Sequence, residues 1–347
     1  MVEVHHIHVK KQPASAGLRW ILTYFNKKCI TMTKVSQGIS VIIPVYNSED
    51  SLRLLIQRIE PVLKSLTAQY EVIFVNDGSK DHSWQRIKDL SGLHSWITGI
   101  ELMRNYGQHN ALLCGIRAAR YEILVTMDDD LQHPPEEIPK LITKLLEGYD
   151  VVYGTPEKEQ HGFWRDRASQ ISKLILQESM GAEIARKAGA FRAFKRDIRA
   201  AFENYQSPYV SIDVLLTWGT ARFAAIPVHH DARQIGVSNY SLGKLVNHAL
   251  NMMTGFSTVP LQLASLLGFA ITFFGLCVLV YVLGRYFIQG ASVPGFAFLA
   301  SIISIFAGAQ MFSLGIMGEY LARMHSRSMG RPPSVIRDVV GFLHRND

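Results

Sequence analysis

The chain has 347 residues and a formal net charge of +7, and hydrophobic residues make up 48% of it while charged residues make up only 19%. Soluble domains carry about 25% charged residues, so the deficit favours a membrane-associated protein, and the positive charge excludes an acidic disordered tail protein. The three cysteines have no Cys-x-x-Cys spacing, which excludes a disulfide scaffold and a cysteine-based zinc site.

Residues 1–38 form an N-terminal extension, and they lack the apolar core of a signal peptide. Strands and helices then alternate. The predicted strands are Ile39–Val45, Glu71–Val75, Thr98–Met103, Glu122–Met127 and Val151–Gly154. The predicted helices are Ser51–Leu66 (with a break expected at Pro61), His82–Leu90 and His109–Arg120. This alternation predicts an α/β domain with a mostly parallel, Rossmann-like sheet, to which we assign residues 39–240.

The C-terminal third is apolar. Between residues 245 and 318 the only formal charge is Arg285. Leu263–Gly284 and Phe296–Gly318 are each long enough to cross a hydrocarbon core of about 30 Å as a helix. We therefore predict two transmembrane helices within residues 261–320, against the alternative of a buried helical hairpin. Residues 241–260, which are mildly amphipathic, are predicted to lie at the membrane surface or to form an ordinary soluble helix.

Lysine and arginine flank the apolar region on both sides. Arg323, Arg327, Arg331 and Arg337 follow it, and Arg233 and Lys244 precede it. By the positive-inside rule, these flanks are cytoplasmic and the connector between the two spans lies outside. We therefore expect an integral inner (plasma) membrane protein whose catalytic domain and both termini, including a tail at residues 321–347, are cytoplasmic.

Ligands of open parallel sheets bind beyond the carboxyl ends of the strands. Neither a dinucleotide-binding G-x-G-x-x-G nor a P-loop is present, and acids stand at two strand ends instead. Asp77 follows the second predicted strand, where it could accept hydrogen bonds from a nucleobase or ribose, or form an Asx turn with the next two residues. No nucleic-acid partner is expected.

Three consecutive carboxylates, Asp128, Asp129 and Asp130, follow the fourth predicted strand. Like charges so close together require a compensating cation, and Mg²⁺ or Mn²⁺ prefers such oxygen ligands together with substrate phosphates. Capping of the following helix is the alternative, but it would explain one aspartate and not three.

Seven motifs in a fixed order resemble the family 2 glycosyltransferases of GT-A fold. The motifs are VIIPVYN, VNDGS, RNYGQ, DDDLQHPPEEIP, FRAFKR, IPVHH and RQIGVSNYS. Together with two C-terminal spans that end in GEYLAR, this set is similar to the polyprenyl-phosphate glycosyltransferases. These include dolichyl-phosphate mannose synthases, bactoprenol glucosyltransferases and undecaprenyl-phosphate aminoarabinose transferases. The likeness covers about residues 39–335.

The resemblance implies roles for individual residues. The positions that would contact the donor nucleotide or its diphosphate are Pro44, Tyr46, Asn47, Asp77, Asp128, Asp129, Arg165 and Arg233. Asp130 and Gln132 would stand next to the metal, and Asp128, Asp130 and Arg192 would act in catalysis. The implied partners are a nucleotide-sugar donor in the UDP form, a polyprenyl (undecaprenyl) phosphate and the membrane. Family members often assemble as homo-oligomers.

Three positions depart from the family pattern: Ser48 and Arg186 replace acids, and Asn239 replaces a lysine. A lipid phosphate has a second pKa of about 6, so it is mostly a dianion and can attack the anomeric carbon, with inversion, without a general base. If a base is used, Asp213 is the nearest candidate; the alternative is a role as a helix N-terminal acid. A catalytically silent nucleotide- or lipid-binding subunit is a competing hypothesis. A processive polysaccharide synthase is disfavoured because no QxxRW is present.

Overall fold

The computed structural model describes residues 35–156, 187–231, 259–289 and 295–341. The described residues contain one sheet of eight strands. The strands are β1 (Ile39–Val45), β2 (Tyr70–Asn76), β3 (Ile97–Leu102), β4 (Ile123–Thr126), β5 (Val151–Pro156), β6 (Arg192–Lys195), β7 (Phe223–Val228) and β8 (Ile336–Gly341).

The described α-helices are α1 (Leu52–Leu66), α2 (Ser83–Leu93), α3 (Gln108–Ala118), α4 (Ile138–Leu146), α5 (Ile212–Gly219), α6 (Val259–Gln289) and α7 (Phe296–Ser328). Short 3₁₀ turns at Pro135–Glu137 and Arg196–Ala201 precede α4 and follow β6. The five predicted strands and three predicted helices are therefore confirmed, with bounds shifted by a few residues.

The strand order is β7-β5-β6-β4-β1-β2-β3-β8. Strands β1 to β4 are mutually parallel, β7 is parallel to β5, and β6 and β8 are antiparallel to their neighbours. The mostly parallel α/β sheet is thus confirmed. Its topology brings the carboxyl ends of β1, β2, β3 and β4 to a single edge, which is where the site is built.

Both faces of the sheet are covered, because β1 and the last six residues of β2 are buried along their whole length. One hydrophobic cluster packs α1, α2 and α4 against one face, and a second packs α3 and α5 against the other. This three-layer arrangement explains the continuous apolar strand sequences, since strands with two covered faces have no solvent side to make polar.

Helix α1 continues through Pro61, so the break predicted there is wrong. The proline ring lies on the exposed side of the helix. Seven apolar side chains on the opposite side are buried against the sheet: Leu52, Leu55, Ile56, Ile59, Val62, Leu63 and Leu66. Their burial outweighs the one backbone hydrogen bond that a proline removes.

The C-terminal residues differ from the predicted tail at 321–347. Helix α7 continues to Ser328, and Ile336–Gly341 then return to the domain as β8, the edge strand next to β3. The register pairs Thr98 with Gly341 and Glu101 with Asp338.

Helix α6 is long and apolar enough to cross a membrane by length and composition. Its segment Pro260–Arg285 has a mean hydropathy of 2.6 and no part of its most apolar window is buried in the protein. Among the described residues it is the one helix that meets this standard. A second span remains a prediction, and the predicted extension at 1–38 and surface segment at 241–260 lie almost entirely outside the described residues.

Candidate functional site

A cavity of about 320 Å³ opens at the carboxyl edge of the parallel strands. It is lined by residues that follow β1, β2, β3 and β4, namely Pro44, Val45, Tyr46, Asp77, Asn105, Gly107, Gln108, Asp128, Asp129 and Asp130. Six predicted site residues are thereby brought together: Pro44, Tyr46, Asp77, Asp128, Asp129 and Asp130. Asp77 and Asp128 stand on either side of β1, because β2 and β4 are its two neighbours in the sheet.

Asn47 is outside the cavity lining and connects two loops instead. Its backbone has a positive φ of 56°, a conformation that asparagine tolerates better than most residues. Its N–H donates to the Ser79 hydroxyl at 3.0 Å, and its Oδ1 accepts from the Lys80 N–H at 2.8 Å. The loop after β1 is thus held to the loop after β2, which fixes one wall of the cavity.

Asp77 is buried, and both of its carboxylate oxygens bind the loop that follows β3. They accept the N–H of Tyr106 at 2.7 Å and the N–H of Gly107 at 2.8 Å. Burial raises the pKa of this carboxyl group, and the two backbone hydrogen bonds act in the opposite direction. Both Asp77 oxygens are thus used outside the Asx turn that was its alternative role, and Asn76 makes the local contact instead, accepting the Ser79 N–H at 3.4 Å.

Gly78 allows this loop to come close. Its φ is +66°, and a Cβ on it would lie 2.6 Å from the backbone nitrogen of Asn105. The side-chain-free position is therefore needed for two reasons, the left-handed backbone and the contact between loops.

The three consecutive aspartates are separated by having different partners. Asp128 accepts a hydrogen bond from Gln108 Nε2 at 2.7 Å, and Asp130 accepts the Gln132 N–H at 3.1 Å. Asp129 accepts the Tyr46 N–H at 3.4 Å. The repulsion expected from the sequence is therefore reduced by giving each carboxylate its own donor.

Asp129 has the most perturbed acidity of the site. Burial raises the pKa of its carboxyl group to about 6, and the neighbouring charge of Asp130 contributes to the rise. The Ser48 hydroxyl and the Tyr46 amide lower the pKa, so they stabilise the carboxylate. Ser48, one of the three departures from the family pattern, therefore lies beside the aspartate motif and stabilises it.

The donor set fits a hard divalent ion that takes only part of its shell from protein. Asp128 and Asp130 both line the cavity and offer carboxylate oxygens, the ligands that Mg²⁺ and Mn²⁺ prefer. Within the described ranges, no three His, Cys, Asp or Glu side chains form a closed metal site. Such an ion would therefore need phosphate oxygens or water as further ligands. Gln132 is outside the lining, and its carbonyl accepts the Asp231 N–H at 2.9 Å.

Arg192 lies apart from the cavity lining. It is 1% exposed, donates from Nε to the Thr126 hydroxyl at 2.9 Å and forms an ion pair with Asp213. Asp213 is in the first turn of α5, as its alternative role predicts, and it also accepts the Tyr153 hydroxyl at 3.0 Å. Because Thr126 ends β4 two residues before Asp128, this buried network supports the strand that carries the aspartates.

Two histidines pack behind the aspartate motif. His133 stacks on Phe191 with ring centroids 5.2 Å apart and meets His230 edge-on at 4.9 Å. Burial lowers the pKa of His133 to about 4, so its ring is neutral at physiological pH. Neither histidine was assigned a role from the sequence.

Besides Val45 at the end of β1, the lining contains three residues that sequence reasoning missed: Asn105, Gly107 and Gln108. They belong to the RNYGQ motif, which carried the resemblance without any assigned role, and only the Gly107 φ of +95° and the turn around it reveal why they meet Asp77 and Asp128. Arg165, Arg186, Arg233 and Asn239 lie outside the described residues.

The mostly parallel α/β sheet and the acidic cavity at the carboxyl ends of its strands agree with the class that the sequence motifs indicate, the glycosyltransferases. Residues 40–202 match the glycosyl transferase family 2. The chain is also 37% identical over 306 residues to an undecaprenyl-phosphate 4-deoxy-4-formamido-L-arabinose transferase from Yersinia enterocolitica serotype O:8 / biotype 1B, with 87% of this chain and 94% of the relative covered.

Among solved structures, the chain is similar to glucosyl-3-phosphoglycerate synthase from Mycobacterium tuberculosis, crystallised with Mn²⁺ and UDP-glucose. The TM-score is 0.47 at 19% identity, with 63% of this chain and 77% of the other covered. A mycobacterial protein matches with the same TM-score and identity over 64% of this chain and 74% of its own. At this level of identity and TM-score, these structures provide no information about the site.

The chain belongs to glycosyl transferase family 2, as a polyprenyl-phosphate glycosyltransferase. This follows from the family match and from the 37% identity, which extends over 94% of the Yersinia transferase.

Proposed function

We propose that this glycosyltransferase moves one sugar from a nucleotide diphosphate sugar, in the UDP form, to undecaprenyl phosphate at the cytoplasmic surface of a membrane. The observation that carries the proposal is the pair of carboxylates, Asp128 and Asp130, facing one cavity with Asp77 across the end of β1. The acceptor is inferred from the 37% identical relative, whose name includes undecaprenyl phosphate.

The cavity is too acidic to bind a free diphosphate. The described lining contains four aspartates and no lysine or arginine. A nucleoside diphosphate would be repelled there unless cations were present. We assign Asp128 and Asp130 to hold Mg²⁺ or Mn²⁺, which would neutralise the charge that develops on the departing diphosphate. Arg165 and Arg233 are proposed as further cationic partners of the phosphates.

The protein's own part in the reaction is to bind and orient. Pro44, Tyr46 and Asp77 form the wall on which we place the nucleoside, with Tyr46 43% exposed and open to stacking on a base. A phosphate oxygen of the lipid forms the bond to the anomeric carbon as the bond from that carbon to the diphosphate breaks. The dianionic lipid phosphate gives up no proton, so this step requires no base.

Asp213 is less suited to act as that base than as a structural acid. It is already paired with buried Arg192 and with the Tyr153 hydroxyl. We therefore propose that Arg192 acts through Thr126 and the end of β4, as a positioning residue, and that it does not touch the substrate.

Helix α6 supports a membrane location for this chemistry. A polyprenyl chain leaves the bilayer only at a cost of about 0.8 kcal/mol per CH₂, so the sugar donor must come to the lipid. We propose that α6 and α7 span the membrane, with the connector between them outside and the catalytic domain in the cytoplasm. A tag inserted at residue 292 that reacts with a cytosolic reagent in intact cells would reverse this topology.

Transfer can be tested with the full-length protein in detergent or vesicles. Undecaprenyl phosphate is mixed with radiolabelled UDP- and GDP-sugars, with and without Mg²⁺ or Mn²⁺, and labelled lipid is extracted into organic solvent. We expect lipid-linked sugar from a UDP donor only when a divalent ion is present. The absence of product with every donor would instead favour a silent nucleotide- or lipid-binding subunit.

A matched pair of variants tests the aspartates. We expect Asp130→Asn to reduce transfer at least 100-fold, because it removes a charged metal ligand, while membrane association is unchanged. Asp197→Asn changes an exposed aspartate near the opposite edge of the sheet and should leave transfer unaltered. Full activity of Asp130→Asn would remove the metal assignment.

A further inference from the structure

The last strand of the sheet comes from beyond the two long helices. We call residues 329–341 the C-terminal strap. Its strand β8 pairs antiparallel with β3, and Gly341, with a φ of +93°, packs against the Ile97 carbonyl so closely that a Cβ would lie 2.3 Å away. Pro333 at its start is buried. The strap is thus attached to the domain at Pro333 and through the pairing of β8.

The strap forms two hydrogen bonds with Met103, the first residue of the loop that follows β3. The Met103 N–H donates to the Val335 carbonyl at 2.9 Å, and the Arg337 guanidinium donates to the Met103 carbonyl at 2.9 Å. Both backbone groups of Met103 are therefore satisfied by the strap. This residue is the first of the loop 103–107, which lies between β3 and α3.

The same loop forms part of the cavity. Three and four residues beyond Met103, the N–H groups of Tyr106 and Gly107 donate to Asp77. Gln108, at the start of α3, donates to Asp128. A shift of the loop at Met103 would therefore change the hydrogen bonds to Asp77 and to Asp128, on the two sides of the cavity.

The strap follows α7 in the chain, and both the end of α7 and the strap contact the domain. The Arg323 guanidinium, near the end of α7, lies over the Tyr209 ring at 4.8 Å from its centroid, and Arg323 pairs with Glu319 one turn back. Ser334 in the strap hydrogen bonds to the Cys114 thiol of α3. The strap therefore contacts α3 as well as the loop after β3, and α7 contacts the domain separately, at Tyr209.

We propose that the C-terminal strap is a positioning element of the donor cavity, and that Arg337 is its positioning residue. Arg337 holds Met103, Met103 sets the loop 103–107, and the loop delivers the two N–H groups to Asp77 and the Gln108 side chain to Asp128. The proposal rests on the proposed function for the identity of the donor, but the loop contacts stand without it.

The test compares full-length Arg337→Ala and Arg337→Lys with Arg331→Ala, a control that removes an exposed arginine of the same strap. Amide hydrogen exchange of peptides that cover residues 103–108 reports the loop. Alkylation of Cys114, followed by mass spectrometry, reports the strap, because burial raises the pKa of this thiol and Ser334 contacts it. Isothermal titration with UDP and Mn²⁺ reports the cavity.

For Arg337→Ala we expect faster exchange in residues 103–108, faster Cys114 alkylation and a UDP dissociation constant raised about fivefold, which corresponds to the loss of one hydrogen bond. Arg337→Lys should recover part of each effect, and Arg331→Ala should match the parent protein. Unchanged exchange in Arg337→Ala, or equal effects in Arg331→Ala, would overturn the proposal. If the parent protein does not bind UDP, the assignment of the donor is wrong. The exchange and alkylation results then decide whether the strap positions the loop.

Discussion

The carboxyl group of Asp129 gives the site a pH dependence. Its pKa is raised to about 6 in the folded protein, against 3.8 for an ordinary aspartate. The folded state therefore holds the proton more tightly, and the group's contribution to stability is present below about pH 4 and is lost as the pH rises towards 6.

Asp129→Asn removes this titration. In a chelator, we expect the thermal midpoint of the parent protein to fall relative to that of Asp129→Asn as the pH is raised from about 4 to about 6, and the difference to be constant above that range. Midpoints measured at half-unit pH intervals in detergent check this. A difference that grows in the opposite direction would mean that the carboxyl group ionises more easily in the fold.

Gly78 provides the clearest single-residue test of the contact between the loops after β2 and β3. Gly78→Ala must place a methyl group 2.6 Å from the Asn105 nitrogen on a backbone with φ of +66°. We expect a loss of about 1–3 kcal/mol of stability.

The matched control is Gly92→Ala in helix α2, where an added Cβ meets nothing within 4 Å. It should be neutral or stabilise by up to about 1 kcal/mol, since alanine restricts the unfolded chain more than glycine does. Both variants are compared by thermal unfolding, and equal midpoints would show that the two loops are not in close contact.

At the scale of the elements, β6 and α5 are joined by the buried pair of Arg192 and Asp213. Asp213→Asn leaves the guanidinium without its counter-charge, and breaking such a pair costs about 3–5 kcal/mol. We expect the thermal midpoint and the transfer activity to fall together.

The double variant Arg192→Met/Asp213→Leu separates the structural role of the pair from a chemical role of Asp213. An apolar replacement of both partners should recover much of the stability, and with it part of the activity. An Asp213→Asn protein that melts like the parent but transfers no sugar would instead identify Asp213 as the base.

The strands that carry the site could be predicted because their signal is local. Ile39–Val45 is an unbroken apolar sequence that ends in a polar loop, and the structure has β1 at those bounds. Strand β8, IRDVVG, contains two adjacent charged residues, and its partner β3 is more than two hundred positions earlier in the chain. Nothing in a local pattern reveals such a pairing, so the sequence alone predicts a tail at these residues.

The site shows the same limit. The position of the aspartate motif at a strand end was predictable from the topology of parallel sheets. The hydrogen bonds from Tyr106 and Gly107 to Asp77 were not, because they come from backbone groups that any residue possesses. The ion pair of Arg192 was hidden for a related reason: a buried arginine and a substrate-binding arginine look alike in a sequence.

At the scale of the whole molecule, helix α6 predicts how the chain associates with lipid. Leu276 lies within the apolar segment and is 57% exposed in the protein. Leu276→Arg places a charge there at a cost of about 2.5–3.5 kcal/mol for insertion. We expect a larger fraction of the chain to be released from membranes by alkaline carbonate.

Leu93→Arg is the matched control, because Leu93 is 77% exposed at the end of α2 in the catalytic domain. It should not change the fraction extracted. Release of both variants to the same extent would argue against α6 as a membrane segment. Homo-oligomer formation remains a prediction at this scale.

The edge strand β8 has a consequence for the order in which the enzyme matures. Its partner β3 leaves the ribosome first, and the pairing of Thr98 with Gly341 must wait until about 240 further residues, including both long helices, have been made. At roughly 5–20 residues per second, the growing chain spends on the order of 10–50 s with this border of the sheet unpaired. Completion of this border of the sheet therefore waits until both long helices have been translated.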